Sequence, residues 1–194
     1  PFYLIPSQEN EAIDFSALEP LDGVILIRGY TPHNLKNLID RNIPNVVVNY
    51  PLCRPCPYSV GADDRGGMYS VVEHVAERGC RHIAYLGPSE DNSRFYDRRI
   101  GYLEAMLDFG LPPEQILCEH SDEESAFQAM QQYLALHQPP DAVVAATDWR
   151  ALGCLKALQK SGLMVPNDVM VAGFDDMPGA ATATPPLTTV RKPR

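Results

Sequence analysis

Residues 171–190, VAGFDDMPGAATATPPLTTV, decide the fold class. A short apolar strand (Val169, Met170, Val171, Ala172) runs into a glycine, an aromatic residue and two carboxylates, Asp175 and Asp176. A run of small, turn-forming residues follows, and Pro185-Pro186 imposes an extended path into Leu187-Thr188-Thr189-Val190. Two acids at the carboxyl end of a buried strand cost free energy unless something pairs with them. In open α/β sheets that edge is where ligands sit. The stretch therefore points to a parallel sheet built to hold a polar small molecule.

The surrounding sequence alternates strand and helix. Apolar runs predict strands at Phe2–Ile5, Val24–Ile27, Asn45–Asn49, His82–Leu86, Gln115–Cys118, Ala142–Ala146 and Asp168–Ala172. Apolar residues recurring at three and four predict helices at His33–Arg41, Gly66–Arg78, Arg98–Phe109, Glu123–His137 and Trp149–Ser161. Gly79, Gly110 and Gly162 stand where left-handed helix C-caps occur. Asp148 and Ser121-Asp122 stand where N-caps are expected. Strands that are apolar without strict alternation, separated by helices, belong in a parallel sheet covered on both faces. A polar break at Gly87–Ser93 and a second at Pro185–Val190 divide the chain into two lobes with a cleft between them.

The 45% hydrophobic content supplies a packed core, and no apolar run reaches the length of a membrane span. A net charge of −9 argues against direct binding to nucleic acid, which draws its affinity from Lys and Arg. Five cysteines, an odd number, do not suggest a disulfide framework, and the first residues lack the basic region of a signal peptide. The expectation is a soluble, reduced, cytoplasmic protein without a membrane partner.

Polar groups gather at the predicted strand ends: Arg28-Gly29-Tyr30, Asn49-Tyr50, Ser89 to Arg94, Ser121-Asp122, Thr147-Asp148 and Asp175-Asp176. Acids, amides, hydroxyls and arginine suit a sugar or nucleoside, although each type alone also caps helices and forms turns. Arg98 opens a helix, where a cation opposes the macrodipole; a paired acid such as Asp175, across the cleft, would offset that. Cys53 and Cys56 form a CxxC in a proline-rich, extended segment, unlike a redox pair at a helix start, and no further ligands stand at zinc-site spacing. The chain contains no nucleophile elbow, Walker loop, dinucleotide fingerprint or HExxH, so no catalytic residue, metal or cofactor is assigned.

Taken together, DGVILI (22–27), IPNVVVNY (43–50), VGADDRGG (60–67), HVAERGCRHIAYLGP (74–88), RRIGYLEAM (98–106), PDAVVAATDWRALGCLKAL (140–158), GLMVPNDVMVAGFDD (162–176) and PPLTTVRKP (185–193) resemble the effector-binding core of LacI/GalR-type transcriptional regulators. The resemblance implies a type I periplasmic-binding-protein-like fold: two Rossmann-like α/β lobes with parallel sheets, a ligand cleft between them, and parts missing at both ends. Residues 1–88 would form the N-terminal lobe, 89–186 the C-terminal lobe, and 187–194 a crossover back to the first. It implies Arg98 and Asp175 as the effector arginine and aspartate. Asn49 and Thr147 occupy ligand-facing positions, while Asn92, Arg94 and Ser121 line the pocket in some members. Asn49 and Thr147 depart from the commonest family choices, which leaves the effector open between a sugar or polyol and a purine.

A homodimer would present operator DNA to a headpiece absent from this chain. The alternatives are a periplasmic sugar-binding protein of the same fold and a sugar-processing enzyme.

Overall fold

The computed structural model describes residues 13, 21–27, 32–48, 58–88 and 95–193. The expected strand at Phe2–Ile5, the CxxC, and the candidates Asn49, Asn92 and Arg94 lie outside the described residues. The chain forms two compact units, Pro1–Ala62 and Asp63–Arg194. In the first, β1 (Val24–Ile27), α1 (Pro32–Asp40), β2 (Asn45–Val48) and β3 (Ser59–Val60) follow in order. The strands are parallel, with Leu26 opposite Val47, and Leu26, Leu38 and Val47 form the buried core.

The second unit contains α2 (Asp64–Glu77), β4 (Ile83–Pro88), α3 (Tyr96–Asp108), β5 (Glu114–Cys118), α4 (Glu123–Leu136), β6 (Ala142–Ala145), α5 (Asp148–Lys160), β7 (Met170–Phe174), α6 (Pro178–Thr182) and β8 (Thr188–Val190). Its five strands are all parallel, in the order β5-β4-β6-β7-β8. Successive strand residues serve opposite layers, as a pleated strand requires. Ile83, Tyr85, Val144 and Phe174 pack with Val72, Val75, Tyr102 and Met106 of α2 and α3. Ala84, Leu86, Val143 and Val171 pack with Met130, Cys154 and Leu158 of α4 and α5. Burial on both faces explains why these strands read as unbroken apolar runs.

Three expectations need correction. The division falls after Ala62 rather than after Pro88, because β4 is hydrogen-bonded between β5 and β6 and α2 packs on α3. Part of the expected crossover is a sheet strand: Thr188 to Val190 pair with Ala172 to Phe174 inside the second unit. The N-cap of α5 is Thr147, whose Oγ1 accepts the Arg150 N–H at 3.3 Å, so Asp148 is the first helical residue. Asp122 caps α4 as expected, and Gly79, Gly110 and Gly162 all have positive φ. The short elements β3 and α6 were not anticipated, since two and five residues carry too little periodicity to register.

Close helix packing rests on glycine at two crossings. A Cβ at Gly101 would overlap the Arg65 carbonyl oxygen, and one at Gly153 would overlap the Glu123 carbonyl oxygen and lie 2.9 Å from Ala126 Cβ. At the amino end of the sheet, the Asp141 carboxylate accepts the N–H groups of Arg81 at 2.7 Å and His82 at 2.8 Å, joining β6 to β4. The two amides, His82 first, hold that carboxyl below its ordinary range.

Two outcomes follow from these contacts. Gly153→Ala, although favoured by helix propensity, should destabilise the fold by about 1–3 kcal/mol in urea unfolding, because the crossing is overpacked. Asp141 contributes stability above its unfolded pKa that is lost as pH falls through the lower folded value. Wild type should therefore lose stability between about pH 5 and pH 2 more steeply than Asp141→Asn, measured by urea midpoints across that range.

Candidate functional site

The strand order fixes where a site can form. From β4 the chain moves first outward to β5, then back across β4 to β6, so helices leave the two central strands on opposite faces. In doubly wound sheets such a reversal marks the usual ligand position, here beyond the carboxyl ends of β4 and β6. The residues that meet there are supplied by the starts of α3 and α5 and by the turn after β7.

Arg98, the third residue of α3, is only 3% exposed. Its Nε donates to Asp64 Oδ2 at 3.1 Å, its Nη2 to Asp175 Oδ1 at 2.9 Å, and its Nη1 to the Ala146 carbonyl. Its guanidinium also lies 3.9 Å above the ring centroid of Phe174. Burying a lone guanidinium would cost several kcal/mol. Here two carboxylates, a carbonyl and an aromatic face offset that cost, and they come from α2, β6 and β7. The predicted pairing of Arg98 with Asp175 is thus present. It lies within the second unit rather than across a cleft between the lobes.

Asp175 is held by its backbone as well as by its side chain. Asp175 and Asp176 both have positive φ, 111° and 53°, a conformation that L residues rarely adopt and that clusters at functional sites. Lys192 Nζ reaches Asp175 Oδ1 at 2.8 Å, while Asp176 accepts from Arg191 Nε at 2.5 Å. The GFDD stretch can then be read residue by residue. Gly173 leaves room for Asp148, whose Oδ1 a Cβ there would overlap; Phe174 lies under Arg98; Asp175 pairs with it; and Asp176 turns the chain.

Asp148, fully buried, accepts the Thr189 hydroxyl at 2.6 Å and the Met177 N–H at 2.7 Å. Burial raises its carboxyl above the ordinary range, with those two donors opposing. Thr147 is buried, and its hydroxyl oxygen accepts one N–H in capping α5. Ser121 Oγ accepts from Arg150 Nη2 at 2.8 Å, so this candidate is tied to a second buried cation. Among the described residues no cluster of three metal-ligating side chains occurs, and no helix is long and apolar enough to cross a membrane.

Four of the seven predicted residues, Arg98, Asp175, Thr147 and Ser121, are therefore described, all at the carboxyl edge of one sheet. Sequence reasoning placed Asp148 at this edge only as a polar strand-end residue and N-cap, and missed Asp64, Lys192, Tyr85 and Arg150 as parts of the site. For Arg150 a signal existed: it shares the helical stripe of Ala151, Cys154 and Leu158, where a charge is out of place. Arg98→Ala should lower stability by about 3–5 kcal/mol in urea unfolding, because it strands Asp64 and part of Asp175. Arg65→Ala, which breaks only the exposed pair with Glu104, should leave the midpoint essentially unchanged.

Residues 72–193 match the periplasmic binding protein-like domain. The chain is 33% identical over 186 residues to the probable HTH-type transcriptional repressor ExuR of Bacillus subtilis (strain 168), a match that covers 93% of this chain and 56% of ExuR. It superposes on a LacI-family regulatory protein from Chloroflexus aggregans with a TM-score of 0.81 and 29% identity, covering 89% of this chain and 63% of that one. A transcriptional regulator CelR–cellobiose complex superposes with a TM-score of 0.77 and 31% identity, covering 89% and 54%. The chain thus spans little more than half the length of its curated relative. It belongs to the periplasmic binding protein-like domain family, with the core architecture of LacI/GalR-type transcriptional regulators.

Proposed function

We propose that this chain is the small-molecule-sensing domain of a LacI-type transcriptional regulator and binds a sugar or similar hydroxylated effector. The arrangement of Arg98 and Asp175 at the carboxyl edge carries this reading. A guanidinium has five N–H donors. Arg98 Nη2 has one N–H beyond its bond to Asp175, and the Asp175 carboxylate has acceptor sites beyond those used by Arg98 and Lys192. Vicinal hydroxyls, each a donor and an acceptor, match such a pair, and hydrogen bonds to charged groups are the stronger kind. In this reading Thr147 and Ser121 contribute hydroxyls, and Asn49, Asn92 and Arg94 complete the contacts. No step of covalent chemistry is assigned to these groups.

Binding would work as a population shift, the effector favouring one arrangement of the lobes over another. In a homodimer that arrangement would set the spacing of two DNA-binding headpieces and hence operator affinity. In this reading the protein works in the cytoplasm. That CelR is seen with cellobiose supports a carbohydrate among the effectors of this architecture.

A thermal-shift series with cellobiose, glucose, ribose, adenosine and hypoxanthine tests the reading. At least one compound should raise the melting temperature, by the equivalent of about 2.7 kcal/mol at a hundred times its dissociation constant. Asp175→Asn, which keeps the side-chain shape, should abolish that shift. A full shift in Asp175→Asn, or none with any effector chemistry in wild type, overturns it.

A further inference from the structure

Arg150 is 1% exposed, yet it is arranged unlike Arg98. Its Nε donates to Cys118 Sγ at 3.0 Å, and its Nη2 donates to Ser121 Oγ at 2.8 Å and to the His120 carbonyl at 3.5 Å. Its guanidinium lies 4.8 Å from the centroid of Phe95, a ring that Arg98 also approaches at 5.5 Å. Among the described residues, the ion pairs of this edge all belong to Arg98, Arg191 and Lys192, and none includes Arg150. Its Nη1 is buried with no hydrogen-bond partner among the described residues.

A second orphan lies on the neighbouring strand. Tyr85, 1% exposed, stacks on Tyr102 with ring centroids 5.3 Å apart, and its hydroxyl has no partner among the described residues either. A Cβ at Gly87 would overlap the Tyr85 ring, so the ring reaches along β4 toward its carboxyl end. Burial raises the phenol's pKa, while the charges of Arg98 and Arg150 act on it in the opposite sense. Two donors unmet among the described residues thus flank the strand-order reversal, Tyr85 on β4 and Arg150 at the start of the helix that follows β6. A buried guanidinium without a counter-charge costs several kcal/mol, and an apolar side chain on this stripe of α5 would avoid the cost. Among the described residues no anion meets this cation, and an acidic group on a ligand would supply one.

We propose that the effector is a hydroxylated compound bearing an acidic group, carboxylate or phosphate, seated on Arg150 Nη1 and Tyr85 Oη with its hydroxyls toward Arg98 and Asp175. The proposal rests on the sensing function above and narrows its ligand class. Arginine's planar fork suits both acids. A neutral sugar would leave the Arg150 donor unmet, and such a mismatch is how a polar site rejects an analogue.

The test is calorimetric titration of the chain at low salt with gluconate, glucuronate and glucose 6-phosphate, against glucose, cellobiose and inorganic phosphate. One anionic sugar should bind at least about tenfold tighter than its neutral counterpart, and the carboxylate and phosphate arms identify the acid. Arg150→Met should remove that preference and also raise the melting temperature of the ligand-free chain. Tyr85→Phe, which keeps the stacked ring, should weaken the anion and leave neutral sugars unaffected; it decides the matter if Arg150→Met does not fold. Equal affinity for charged and neutral sugars, or a preference that survives both substitutions, overturns the proposal. Neutral-sugar binding that depends on Asp175 without anion preference overturns it while leaving the sensing function standing. Binding by no compound overturns both.

Discussion

The buried guanidinium of Arg98 is the constraint around which the second unit is organised. It holds Asp64 at the start of α2, the Ala146 carbonyl at the end of β6 and Asp175 after β7. Those elements are far apart in sequence, and without a shared cation their carboxylates would have no reason to leave water. The planar fork satisfies several acceptors at once, and the Phe174 face below it adds roughly 2 kcal/mol of cation–π attraction in a desolvated setting. The strained backbone at Asp175 and Asp176 is the cost of presenting one acid to this cation and the other to Arg191.

Asp148 plays the matching part on the opposite side of β7. Its carboxylate collects a hydroxyl from β8 and a backbone N–H from the residue before α6, so one buried acid ties the last strand and the last helix to the start of α5. The contrast between the two central arginines is then chemical. Arg98 is compensated from within the chain, whereas Arg150 is surrounded by a thiol, a hydroxyl, a carbonyl and a ring, none of which carries its charge.

Much of this was legible in the sequence, for reasons that can be named. Helices α2 to α5 were found to within two residues because their apolar stripes recur and their ends carry Asp122, Gly79, Gly110 and Gly162. Pairing of Arg98 with Asp175 followed from a cation at a helix start and an acid at a strand end. The lobe boundary was not legible, because the sequence does not say that β4 would lie between β5 and β6. Nor was the role of Asp148: a residue that caps and a residue that braces have the same local pattern, and only the approach of Thr189 distinguishes them. Asp64 could not be picked out, because its partner Arg98 lies in another helix.

Strand β8 closes one side of the five-stranded sheet with three residues. Its outer edge is a template on which another chain's strand could grow. Pro185 and Pro186 precede it, and Arg191, Lys192 and Pro193 follow it. Brevity, missing amide donors and flanking positive charge are the devices that keep such borders from seeding fibrils. The same few residues that position Asp175 therefore also guard the protein's colloidal stability, and replacing them with longer apolar strand formers would turn a protected edge into an aggregation nucleus.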